Sequence, residues 1–175
     1  MENTINKKIW FPTVGFQGHI NIAPSTLADY NKWMEIEKEL TESSYGTTTH
    51  NGHQIALNNS MKTPNWYETI YQDLTEARSA LQPAVHKSTW VIDYTDGGFQ
   101  DPHIHHVSDT LVLNLSGQGE LMLFDPRPMA VALVEPWAEI ITLNPGDWIT
   151  FPGWLAHSSR PCKGDRSILV MDFTL

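Results

Sequence analysis

Two short stretches hold the residues best suited to chemistry: QDPHIHHVSD carries His103, His105 and His106, and FPGWLAH carries His157. In an extended strand, side chains at i and i+2 share a face, so His103 and His105 can address one ion while Ile104 and His106 face away. A third ligand must then come from a neighbouring strand. His157, which follows a Pro-Gly-Asp turn and the strand-like DWITF, is its natural source. Imidazole nitrogens suit iron, copper, nickel or zinc, and three ligands on one face leave positions open for oxygen or a substrate. Open positions belong to catalytic sites more than to structural ones. HxH alone is a weak signal; with GDWITFPGWLAH downstream it becomes a metal-site pattern.

The elements that must position these residues divide the chain in two. From Ser25 to about Ser43, an N-cap at Ser25 and apolar residues at Leu27, Tyr30 and Met34 predict an amphipathic helix. Trp66, Ile70, Leu74, Ala77 and Leu81 predict a second one that Pro83 ends. From Ser88 onward the texture becomes β-rich: STWVIDY, DTLVLNLSG, GELMLFD, MAVALVE, AEIITL, DWITFP and RSILVMDF, separated by Gly, Pro and Asn/Asp turns. Closely spaced short strands of this kind predict an antiparallel sandwich or barrel, with the two helices packed against its outside. HNGHQIALNN, with His50 and His53, has no spacing that directs both rings at one ion and reads as a polar loop over the barrel mouth. Trp90, Tyr94, Phe99, Phe151 and Trp154 are candidates to line a pocket, although strand aromatics mostly pack as core.

At 175 residues the chain fits one domain, with 1–87 as helical flank and first strands and 88–175 as the core. A net charge of -9, with the few basic residues scattered, disfavours nucleic acid and anionic membranes. Neither a signal-like apolar stretch at the N-terminus nor a membrane-spanning run is found, so the expectation is a cytoplasmic protein. The one cysteine, Cys162, excludes an internal disulfide and multi-thiolate metal sites.

Taken together, GGFQDPHIH and PGDWITFPGWLAH resemble the double-stranded β-helix superfamily, which contains the cupins and the 2-oxoglutarate/Fe(II) oxygenases. FPGWLAH leading to GDRSILVMDF, with WVIDYTDGGFQDPHIH, LSGQGELMLFDPRP and the N-terminal WFPTVGF, resembles a 2-oxoglutarate/Fe(II) oxygenase family, most sharply over residues 90 to 173. The resemblance implies an α+β, mainly β fold, a jelly-roll barrel. It also implies iron(II) held by His103, His105 and His157, with 2-oxoglutarate as co-substrate, oxygen and a small molecule as reactants, and a hydroxylation as outcome. A homodimer is left open.

By the same resemblance, Arg166 matches the strand arginine that grips the far carboxylate of 2-oxoglutarate, a role suited to its planar, permanently charged fork. Asn114 stands where many relatives carry a tyrosine and offers a weaker contact to the co-substrate. Ser167 falls one position early for the usual RxS pattern and faces away from Arg166 in a regular strand. Arg160 is a rival anchor. Many relatives use an aspartate where this chain has His105; Asp109, then Asp101, are the reserve ligands or the groups that orient an imidazole. Two other readings stay open: a cupin-type metalloenzyme that needs no 2-oxoglutarate, and a metal- or ligand-binding module without turnover.

Overall fold

Side-chain alternation along the β-rich runs sorts the sheet into two faces, and the faces determine where helices and site lie. The computed structural model describes residues 5–10, 13–42, 48–57, 63–79, 84–127 and 137–174. They form β1 (Ile5–Trp10), β2 (Thr13–His19), α1 (Pro24–Leu40), β3 (Thr49–Ala56), α2 (Asn65–Ser79), β4 (Val85–His103), β5 (Asp109–Ser116), β6 (Gly119–Phe124), β7 (Ala138–Leu143), β8 (Asp147–Phe151), β9 (His157–Ser159) and β10 (Arg166–Thr174). The strands join in one curled, wholly antiparallel sheet in the order β1-β2-β8-β5-β10-β4-β9-β6-β7, with β3 on β4. This mainly β arrangement with two helices fits a jelly roll. The expected MAVALVE strand lies outside the described residues.

On one face, Val91, Leu111, Leu113, Leu115, Trp148, Leu169, Met171 and Phe173 share a core with Tyr30 and Met34 of α1 and Trp66, Ile70 and Leu74 of α2. Residues an odd number of positions away along the same strands, Ile92, Tyr94, Val112, Ile149, Phe151, Ile168 and Val170, belong to a second core with Leu121, Leu123, Ile141, Leu143 and Leu155. The period-two pattern therefore assigns the helices to one side and leaves the other for the site.

Three local readings change. The N-cap of α1 is Ala23, and Pro24 opens the helix, where its missing N–H is not needed; Ser25 lies inside the first turn. HNGHQIA is a strand, β3, paired with β4 from Thr49↔Gln100 to Ala56↔Trp90 with a register shift between His50 and Gly52, because the backbone pairing on either side of that shift outweighs its polar composition. STWVIDY is only the middle of the 19-residue β4, which meets β10, β3 and β9 in turn. No helix among the described residues is long and apolar enough to cross a membrane.

The β2–β8 pairing depends on a close approach. A Cβ at Gly18 would stand 2.4 Å from Cζ2 of Trp148, which is itself buried. Gly18→Ala is therefore expected to destabilise the fold by about 1–3 kcal/mol, the range for overpacking, read as a lowered urea midpoint. An unchanged midpoint would mean that Trp148 is free to move.

Candidate active site

Strand pairing brings the three histidines together. His103, the last residue of β4, is the register partner of His157, the first of β9. His105 lies just past the end of β4, so the expected i, i+2 strand spacing does not extend to it. Its backbone N–H instead donates to the carbonyl of Gly153, at 2.8 Å, which ties the HxH segment to the turn that precedes His157. One nitrogen from each ring lies within 4.8 Å of the others. Ring centroids are 4.4 Å apart for His103 and His157, 4.9 Å for His105 and His157, and 5.2 Å for His103 and His105.

Each imidazole is oriented through Nδ1, which leaves Nε2 as the ligating atom. His103 Nδ1 lies 2.8 Å from the carbonyl of Asp101, and His157 Nδ1 lies 2.9 Å from that of Leu155. His105 Nδ1 is 2.8 Å from a carboxylate oxygen of Asp172, and the Thr110 hydroxyl reaches the same oxygen at 2.9 Å. Burial holds the His157 imidazole down to about 3, aided by the neighbouring His103. Burial also lowers His103. Neutral imidazole is the form a metal ion needs, and burial favours it at His103 and His157.

The histidines line a narrow slot with Trp90, Gln100, Val112, Leu121, Ser159, Arg166, Ile168 and Val170. Arg166 is 1% exposed. Its Nε donates to Asn114 Oδ1 at 2.8 Å and its Nη1 to Ser159 Oγ at 2.7 Å, whereas Nη2 is buried without a hydrogen-bond partner. A buried guanidinium nitrogen without an acceptor is costly and points to an anion as its missing partner. The Tyr94 hydroxyl is likewise buried and unpartnered. Burial raises its phenol well above the ordinary value, partly offset by the Arg166 charge, so it stands as a neutral O–H donor beside the arginine. Gly119 makes room for this group: a Cβ there would fall 2.3 Å from the guanidinium carbon.

No protein-family model matches the sequence, and no curated protein does either. Solved structures do. A Pseudomonas putida prolyl-4-hydroxylase superposes with a TM-score of 0.65 over 91% of this chain and 91% of its own, at 14% identity. The non-heme alpha ketoglutarate dependent epimerase SnoN from nogalamycin biosynthesis gives 0.63 over 90% and 76%, at 14% identity. A Trichoplax adhaerens prolyl hydroxylase, solved with a hypoxia inducible factor oxygen degradation domain peptide, gives 0.62 over 90% and 83%, at 9% identity. The likeness is one of fold, shared with these hydroxylase and epimerase structures.

Within this fold, the other residues singled out from sequence fall as follows. Asn114 has both polar ends on protein, Oδ1 on Arg166 and Nδ2 on the Gly117 carbonyl, so it holds the arginine where a direct contact to a co-substrate was expected. Arg160 is exposed and paired with Glu120 at 2.7 Å, away from the slot lining. Ser167 faces away from Arg166, as expected, and donates to Asp93. Asp109 accepts from Thr150, and the Asp101 carboxylate meets His50 Nε2 at 2.7 Å, so neither joins the three-nitrogen cluster. Phe99 stacks on His50, Phe151 packs on His157, Trp90 lines the slot and Trp154 is exposed. The sequence reading missed Asp172, Thr110 and Ser159. Asp172 had a signal: it lies six residues after Arg166 on one strand, an even spacing that places both on one face.

The depressed His157 has a consequence for stability. Its folded value, about 3, lies below the unfolded 6.5, so between those limits the unfolded chain binds more protons and stability falls as pH falls; above about 6.5 this group contributes no slope. Metal-free protein should therefore lose stability between pH 7 and pH 4.5, and His157→Gln should lessen that loss by about 2–3 kcal/mol, measured by urea unfolding at both pH values. Equal losses in both proteins would contradict the assignment.

Proposed function

We propose that the chain is a single-domain, cytoplasmic, 2-oxoglutarate-dependent non-haem Fe(II) dioxygenase, a jelly-roll barrel with its two helices on the outside. In this reading His103, His105 and His157 hold the metal and Arg166 anchors the far carboxylate of 2-oxoglutarate. The observation that carries it is the Nη2 of Arg166: a buried guanidinium nitrogen without an acceptor, lining the slot that the three imidazoles also line. A metal-only site would not call for that cation.

The protein's contribution follows from the residues. The imidazoles of His103, His105 and His157 would hold the ion through one nitrogen each, and three ligands would leave positions for other groups. Arg166, steadied by Asn114 and Ser159, presents Nη2 to a carboxylate, with its guanidinium carbon 6.0 Å from the Tyr94 ring centroid. Once bound, iron and co-substrate supply the activation of oxygen, with 2-oxoglutarate yielding succinate and carbon dioxide. Apolar walls from Val112, Leu121, Ile168 and Val170 exclude water from the space between the two ends. The substrate is a small organic or amino-acid-like molecule, and hydroxylation is its fate.

Two outcomes test this reading. Replacing His103, His105 or His157 by Ala should abolish stoichiometric Fe(II) binding under anaerobic dialysis, while His106→Ala, whose exposed side chain is outside the cluster, retains it. Equal loss in all four would refute the ligand set. Arg166→Ala should weaken the apparent 2-oxoglutarate affinity by ~1.5–3 kcal/mol, the range for a hydrogen bond to a charged group, in a succinate-release assay on iron-loaded protein, with Tyr94→Phe losing less. Arg160→Ala should be neutral; the reverse ranking would move the anchor to Arg160.

A further inference from the structure

The three-histidine set carries no negative charge, whereas a carboxylate meets one of its rings from behind. We infer that Asp172 is the positioning and charge-compensating residue of this centre, fixing the His105 tautomer and supplying, one bond further out, the negative charge that His105 does not. The inference rests on the metal site proposed above.

The hydrogen-bond geometry determines where the proton sits. Asp172 Oδ1, His105 Nδ1 and Thr110 Oγ1 form a triangle with sides of 2.8, 2.9 and 2.9 Å. A carboxylate oxygen can only accept, and Thr110 has a single proton to donate. If His105 Nδ1 were bare, its lone pair would face the carboxylate oxygen at 2.8 Å with no proton between them. With Nδ1 protonated, the imidazole donates to Asp172, Thr110 donates to the same oxygen, and Nε2 is left bare for a cation. Asp172 and Thr110 are buried, and His105 is largely so, which strengthens the contact and prevents water from replacing it. Donation to a carboxylate also makes the ring a more basic ligand, so part of the Asp172 charge reaches the metal.

Strand register makes the pairing stable. Asp172 and Thr110 are direct partners in the β10–β5 ladder, so the carboxylate is carried by a fully buried strand. It therefore meets His105 at a fixed place.

A charge exchange tests the inference, with anaerobic Fe(II) competition against a chelating dye as readout. Asp172→Asn should lower affinity 10- to 100-fold, the usual effect of removing such a partner, with the fold checked by circular dichroism. His105→Asp alone should bind poorly, because two carboxylates then face each other. Combining it with Asp172→Asn should restore affinity to within about tenfold of wild type, as one negative charge replaces another. Affinity within twofold of wild type for folded Asp172→Asn, or a double variant no better than His105→Asp alone, would overturn the role. Should Asp172→Asn not fold, the imidazole 15N spectrum of metal-free wild-type protein decides: a proton on His105 Nδ1 supports the role, and one on Nε2 overturns it. Failure of the wild type to bind Fe(II) would instead refute the metal site itself.

Discussion

The arrangement of β10 between β4 and β5 is the constraint on which the site depends. A strand paired on both sides cannot slip by one residue without exchanging its two faces, and here both faces are buried. On one face Leu169, Met171 and Phe173 join the helices' core. On the other, Arg166, Ile168 and Val170 line the slot, and Asp172 meets His105. A single strand thus sets a cation in the slot and a carboxylate behind His105, with Ile168 and Val170 between them along the same face.

That separation explains how the fold tolerates so many polar groups inside. Burial opposes charge on His103 and His157, which remain neutral and need no counter-ion. Arg166 remains the buried cation, held by two neutral acceptors, Asn114 and Ser159, and no carboxylate among the described residues pairs with it. A guanidinium placed in this way is poorly compensated by the protein alone. Its deficit would be met by a dicarboxylate whose other end lies at the imidazoles. Asp172, behind His105, is balanced by donors from His105 and Thr110.

Much of this was legible in the sequence because it depends on period and spacing. The two amphipathic stripes gave α1 and α2, and the β-rich runs gave β5, β6, β7, β8 and β10 close to their observed bounds. The three histidines were found from HxH and a distal histidine, and the cluster forms. What escaped depends on pairing partners that no local pattern encodes. β3 is polar and looked like a loop, yet seven residues of β4 provide it with a ladder. Asn114 was read toward a co-substrate, but the turn at Gly117 draws it onto Arg166. Asp109 and Asp101 were nearer in sequence to the histidines than Asp172, and register, which sequence distance does not reveal, brings the more distant residue to His105.

The central claim is that one slot holds metal and dicarboxylate together, through the imidazoles at one end and Arg166 at the other. Its most direct test is an anaerobic titration of Fe(II)-loaded protein with 2-oxoglutarate, followed by visible absorption. The account predicts a weak charge-transfer band that saturates at one 2-oxoglutarate per chain and demands more 2-oxoglutarate in the Arg166→Ala protein. A protein that binds iron but develops no such band at saturating 2-oxoglutarate would contradict it.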